Sequence, residues 1–93
     1  MSNLSKAVVT VLGKDCKGII AQVSNVLWQY EVNILDISQT IVDGYFNMIM
    51  VVDITAPSCP FETLTDALNK LGSTLNLQIR IQRSEIFDAM HQI

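Results

Sequence analysis

Histidine occurs once in this 93-residue chain, cysteine twice, and no CxxC pair is present. The lone His91 and the widely separated Cys16 and Cys59 supply neither a metal-ligand set nor a thioredoxin-like dithiol. They also leave no Ser/His/Asp or Cys/His arrangement to build, so the chain does not read as an enzyme. Basic charge is scarce too: six Lys and Arg stand against nine Asp and Glu, for a net charge of −3. That balance excludes nucleic acid and acidic membrane surfaces as partners. No secretion signal and no apolar run of membrane-spanning length is present, so the expectation is a soluble cytoplasmic protein with reduced thiols. Linkers, repeats and low-complexity tracts are absent, which points to one domain over residues 1–93. Since 49% of the residues are hydrophobic, a core is available. A chain this short still buries a modest share of its surface, and a second copy would add to it.

The apolar pattern changes period along the chain. Residues 6–12 are apolar at nearly every position, as in a central strand covered on both faces. From 19 to 30, Ile19, Ile20, Val23, Val26, Leu27 and Tyr30 recur at helical spacing, with Trp28 off the stripe. Asn33 follows as the turn residue, because its side chain tolerates left-handed backbone. Residues 33–42 and 45–54 are strand-like and joined by Asp43-Gly44, the signature of a two-residue type I′ hairpin. That turn pairs Val42 with Tyr45, Ile41 with Phe46, Gln39 with Met48, Ile37 with Met50 and Leu35 with Val52, all but the first on the core face. Gln39 is then a buried amide in need of partners. Pro60 opens a second helix with Phe61, Leu64, Leu68 and Leu71 on its stripe and Gly72 as its C-cap. Residues 75–83 alternate as an edge strand. Ile86, Phe87, Met90 and Ile93 mark a short tail helix.

The order βαββαβ predicts an α+β fold of ferredoxin-like type: a four-stranded antiparallel sheet with two helices on one face, plus a short C-terminal helix. The first and third strands are central. Val8, Leu12, Ile49 and Val51 fall on the face away from the helices, which a second copy or the tail must cover.

The stretch from Gly13 through Lys14, Asp15, Cys16, Lys17 and Gly18 to Ile19 and Ile20 joins the first strand to the first helix. Asp15 is placed to cap the helix, and Gly18 lets a small molecule approach the bare N–H groups of the first turn. An anion such as a ligand carboxylate suits that position. The loop equally serves only to turn the chain, and the residues alone leave both readings open. The spacing matches neither the dinucleotide fingerprint nor the Walker pattern. Cys16 lies beside Lys14 and Lys17, which favour its thiolate, but it reads as an ordinary free thiol.

Three blocks, residues 13–24, Val32 to Thr40, and Phe46 with Met48, together resemble the ACT domain. The whole chain, including Ile86 to Met90, is similar to stand-alone single-ACT-domain proteins. These are related to the glycine cleavage system transcriptional repressor and the N-terminal domain of formyltetrahydrofolate deformylase. The resemblance implies a non-catalytic regulatory domain that binds an amino-acid-like small molecule as a homodimer and can signal to a further protein partner. It implies no cofactor and no metal. Carried onto this chain, the ligand contacts are Gly13, Asp15, Cys16, Lys17, Gly18, Ile19 and Ile20, with Asn33, Ile34 and Asp36 across from them near a subunit interface. Relatives often carry Pro where this chain has Lys17. The alternative function is a protein-interaction module with no small-molecule ligand.

Overall fold

The computed structural model describes residues 5–14, 18–55 and 60–83. Elements run β1 (Lys6–Lys14), α1 (Ile19–Gln29), β2 (Asn33–Val42), β3 (Tyr45–Asp53), α2 (Phe61–Leu75) and β4 (Gln78–Arg83). The strands form one sheet in the order β2-β3-β1-β4, and every neighbouring pair is antiparallel. This is the expected ferredoxin-like arrangement with β1 and β3 central. The predicted tail helix lies outside the described residues.

Alternation decides which face is filled. Ala7, Val9 and Val11 of β1 align with Phe46, Met48, Met50 and Val52 of β3 and with Ile79 and Ile81 of β4 in one buried layer. Onto that layer α1 lays Ile19, Val23 and Leu27, and α2 lays Leu64 and Leu68. Both helices therefore share one face of the sheet. Nearly every large apolar side chain of β3 on this face is removed from water, worth roughly 1.5–3 kcal/mol each.

Local backbone chemistry sets the boundaries, and in several places it departs from the sequence expectation. The α1 terminus is closed by Glu31 in the left-handed region (φ 58°), not by Asn33. The N–H of Glu31 donates to Trp28 O and that of Val32 to Leu27 O, the paired bonds of a Schellman cap. Asn33 is thereby released from the turn and becomes the first residue of β2. Gly72 is not a C-cap either. It lies inside α2, and the left-handed position is Asn76 (φ 58°). A Cβ on Gly72 would stand 2.8 Å from Leu77 O, so its missing side chain is what lets the chain fold back tightly toward β4. Leu75 belongs to α2 in consequence, and β4 begins only at Gln78.

The Asp43-Gly44 turn has positive φ at both residues, as the type I′ hairpin requires. The register holds from Val42↔Tyr45 to Asp36↔Val51, and then a bulge intervenes. Ile34, not Leu35, opposes Val52, and Asn33, not Ile34, opposes Asp53. Leu35 is the extra residue, and Ile34 is the one that packs on the core. Gln39 is exposed rather than buried, because β2 is an edge strand beyond the cover of the helices.

Candidate functional site

Among the described residues no side chain caps the start of α1. Gly18 is the N-cap of α1, with φ 80° and no side chain to cap with. The first intrahelical bond runs from Gln22 N to Gly18 O at 2.9 Å, so the N–H groups of Ile19, Ile20 and Ala21 precede the helical ladder and find no acceptor within it. The expected cap, Asp15, lies with Cys16 and Lys17 outside the described residues. Among the described residues, a Cβ on Gly18 would meet only Gln22 Nε2, at 3.7 Å. Glycine is required there by the left-handed backbone rather than by crowding. Ile19 is buried in the core and Ile20 is half-buried against it.

Gly13 has a different reason to be small. A Cβ there would overlap the Leu77 side chain and stand 3.3 Å from Leu77 Cα. Its space is filled by the chain itself.

The two halves of the expected site do not meet within one chain. Gly13 shares a transverse row with Phe46 and Ile41, at the end of the sheet where α1 begins. Asn33 shares a row with Asp53 and Lys6, at the opposite end. The seven residue steps along β1 from Lys6 to Gly13 span roughly 24 Å. Ile34 and Asp36 lie near the Asn33 end, where Asp36 accepts the N–H of Ile37 at 2.9 Å. A ligand small enough for one helix terminus cannot touch both groups of one protomer.

At the Asn33 end, the Asp53 carboxylate accepts the Thr55 N–H at 2.8 Å. The Thr55 hydroxyl and amide, in that order, hold the Asp53 carboxyl below its ordinary value of 3.8, with Lys6 adding a smaller pull. The Thr55 Oγ1 in turn accepts the Ser5 N–H at 2.8 Å, tying the start of β1 to the end of β3. This cluster secures the sheet corner and offers no reactive group. Among the described residues no three His, Cys, Asp or Glu converge as a metal site, and no helix is long and apolar enough to cross a membrane. A groove of about 620 Å³ lies at the α1-start end of the sheet, but on the α2 and β4 side, edged by Lys14, Tyr45, Ser73, Asn76 and Gln78. It takes in Gly13 and Lys14 but not Gly18, Asn33 or Asp36.

What sequence reasoning missed is the exposed flank beside β2. Ile37 and Ile41 point to the helix side of the sheet yet are 40% and 58% exposed, and Trp28 is 77% exposed. Val26, Gln29 and Tyr30 of α1 face α2 across a shared groove. At 100° per residue Trp28 therefore projects from the opposite flank of α1, toward the β2 side. The largely apolar alternation of β2, broken only at Gln39, hid this, because it reads much the same for an edge as for a buried strand.

Comparison with known proteins decides the family. An ACT domain family model matches residues 5–82. The chain belongs to the ACT domain family. A UPF0237 protein of Bifidobacterium longum is 50% identical over 90 residues, covering 97% of this chain and all of the relative. The fold of this ACT domain superposes on an ACT domain protein from Streptococcus pneumoniae with a TM-score of 0.78 at 43% identity, over 89% of this chain and 93% of that one. A formyltetrahydrofolate deformylase from Pseudomonas syringae matches at a TM-score of 0.79 but 20% identity, over 87% of this chain and 28% of that one, which shows the shared fold. ACT domains are typically regulatory, small-molecule-binding domains.

Proposed function

We propose that this ACT domain is a non-catalytic cytoplasmic regulatory module that binds an amino-acid-like ligand between two copies of itself. The reading is supported by the start of α1 at Gly18, uncapped among the described residues, and by the polar residues Asn33 and Asp36 at the far end of the same sheet. Strand β2 is an edge, and its free backbone groups are a template for another strand. A twofold pairing of β2 with its copy runs antiparallel. It brings the partner subunit's Asn33 end to the Val42 end of the first chain. Each helix start then faces a partner's Asn33, Ile34 and Asp36, and two equivalent sites form. Exposed Ile37, Ile41 and Trp28 lie on the flank that such pairing would cover.

The chemistry of the ligand follows from the groups supplied. Bare N–H groups at the positive end of α1 favour a carboxylate. Asn33, free of the turn, offers a carbonyl to an ammonium and an amide to a second polar group. Binding would favour one arrangement of the two subunits, and a partner protein would read that arrangement. Asp15, Cys16 and Lys17 belong to the same proposed site through the loop they occupy.

Titration calorimetry with the twenty amino acids tests the ligand. Failure of all of them at millimolar concentration overturns the amino-acid assignment and leaves the protein-interaction reading, which the exposed Trp28 flank favours. Subunit mixing tests the shared site. Gly18→Ala and Asn33→Ala homodimers should each lose binding. A mixed dimer carrying one of each should regain one site per dimer, because one interface keeps Gly18 of one chain and Asn33 of the other. No recovery on mixing sinks the two-chain arrangement.

A further inference from the structure

The groove of about 620 Å³ on the α2 and β4 side has two walls of opposite polarity. One wall is the end of β1 and β3. Lys14 and Tyr45 are the last cross-strand pair there. Lys14 is the one charged side chain among the described residues that line the groove. Strand β4 starts opposite Leu12, so Gly13 and Lys14 overhang it. The other wall is the C-terminal end of α2. The Gly72 carbonyl accepts the N–H groups of both Asn76 and Leu77, the latter at 2.8 Å. The carbonyls of Ser73, Thr74 and Leu75 then lie past the last helical acceptor, and the last turn of α2 holds no basic residue. That end keeps the partial negative charge of a helix C-terminus.

Leu77 holds the two walls apart at a fixed distance. Its side chain fills the space a Cβ on Gly13 would need, and its carbonyl would stand 2.8 Å from a Cβ on Gly72. Leu12 and Leu77 give the groove apolar surface, and Ser73, Asn76 and Gln78 add neutral groups that donate and accept. A simple anion suits Lys14 but is repelled by the end of α2. A simple cation meets the reverse. A ligand carrying both charges satisfies both walls. Because the walls stand on either side of Leu77, its two charges must be held apart by methylenes rather than placed on one carbon.

We infer that this groove binds a small ω-amino carboxylate, with its carboxylate on Lys14 and Tyr45, its methylenes on Leu12 and Leu77, and its ammonium at the carbonyls that end α2. The site is separate from the start of α1 and is built from one chain. It stands or falls independently of the ligand reading above.

Amide chemical-shift mapping on the intact chain tests it, with 4-aminobutyrate as the probe and butyrate and butylamine as its two halves. The amides of residues 12–14 and 73–78 should move with millimolar 4-aminobutyrate, while those of Asn33 and Asp36 stay in place. Butyrate and butylamine should each bind at least about tenfold more weakly. Lys14→Gln, a change at an exposed position, should weaken 4-aminobutyrate binding at least about tenfold, whereas Asn33→Ala should leave it unchanged. No shifts with the probe, equal binding of butyrate, or undiminished binding by Lys14→Gln overturns the proposal. Shifts confined to Gly18, Ile19 and Asn33 put the probe in the other site and overturn it as well.

Discussion

Strands β2 and β3 hang from the same two-residue turn and pair residue for residue over most of their length, yet one is alternately buried and the other is bare. Phe46, Met48 and Met50 are all buried, whereas Ile41, Gln39 and Ile37, their partners across the ladder, are all exposed; only Ile34, opposite Val52, is half-buried. The side-chain patterns are nearly the same. The difference is position: β3 lies between β2 and β1 under the helix layer, and β2 is the rim. An alternating pattern thus records which face a strand offers for burial. It does not record whether the same chain supplies the cover.

The strongest way to break this comparison is to remove the same kind of mass from both strands. Met50→Ala should cost about 2–5 kcal/mol in urea unfolding, because a fully buried side chain leaves a cavity. Ile41→Ala should cost under about 1 kcal/mol at concentrations where the chain is monomeric. Equal losses would mean that β2 is covered within one chain.

The next effect sharpens the role of the rim. Ile37→Lys places a charge on the exposed flank and should weaken self-association at least about tenfold, or 1.4 kcal/mol, in sedimentation equilibrium. Monomer stability should stay nearly unchanged. Trp28→Ala should act in the same direction. If neither variant alters association, the proposed pairing through the β2 flank fails.

The shared turn should affect both strands together. Gly44 has φ 80°, so Gly44→Ala should destabilise the fold by about 1 kcal/mol while leaving the register intact. Amide exchange that rises in β2 alone would show the strands to be uncoupled.

The smallest effect concerns the corner where both strands approach β1. Asp53 titrates below 3.8 when folded, and the unfolded chain takes up its proton first. The stability it contributes is therefore intact above pH 3.8 and is lost as pH falls through the folded-state value. Thr55→Ala removes the hydroxyl, the largest of the groups that lower this pKa, while the residue-55 N–H and Lys6 remain, so it should partly flatten the acid limb of a stability–pH curve. An unaltered limb would place the acid sensitivity elsewhere.

The architecture was legible from period and punctuation: the Asp43-Gly44 turn, the α1 stripe and the central placing of β1 and β3 all follow from local chemistry. The errors share a cause. Residue type alone gives Gly72, Asn33 and Gln39 the role each type most often fills, and in each case neighbouring structure decides otherwise. Leu77 folds back on Gly72, Glu31 takes the left-handed position ahead of Asn33, and the rim leaves Gln39 in water. For the candidate site, the helix start at Gly18 was readable from glycine between a strand and a helix. Its separation from Asn33 was not, because strand direction within the sheet turns a short sequence interval into the full length of the fold.

The surplus residue at Leu35 has a consequence for how such a chain can change. Ile34 and Asn33 keep their partners on β3 only because one position in between has dropped out of the count. Deleting that residue would leave a regular ladder with the same pairs, Ile34 still opposite Val52 and Asn33 still opposite Asp53. Closing the bulge with Leu35 retained would instead set Leu35 opposite Val52 and turn Ile34 to the outer face, so this corner tolerates a shorter chain better than a straightened one.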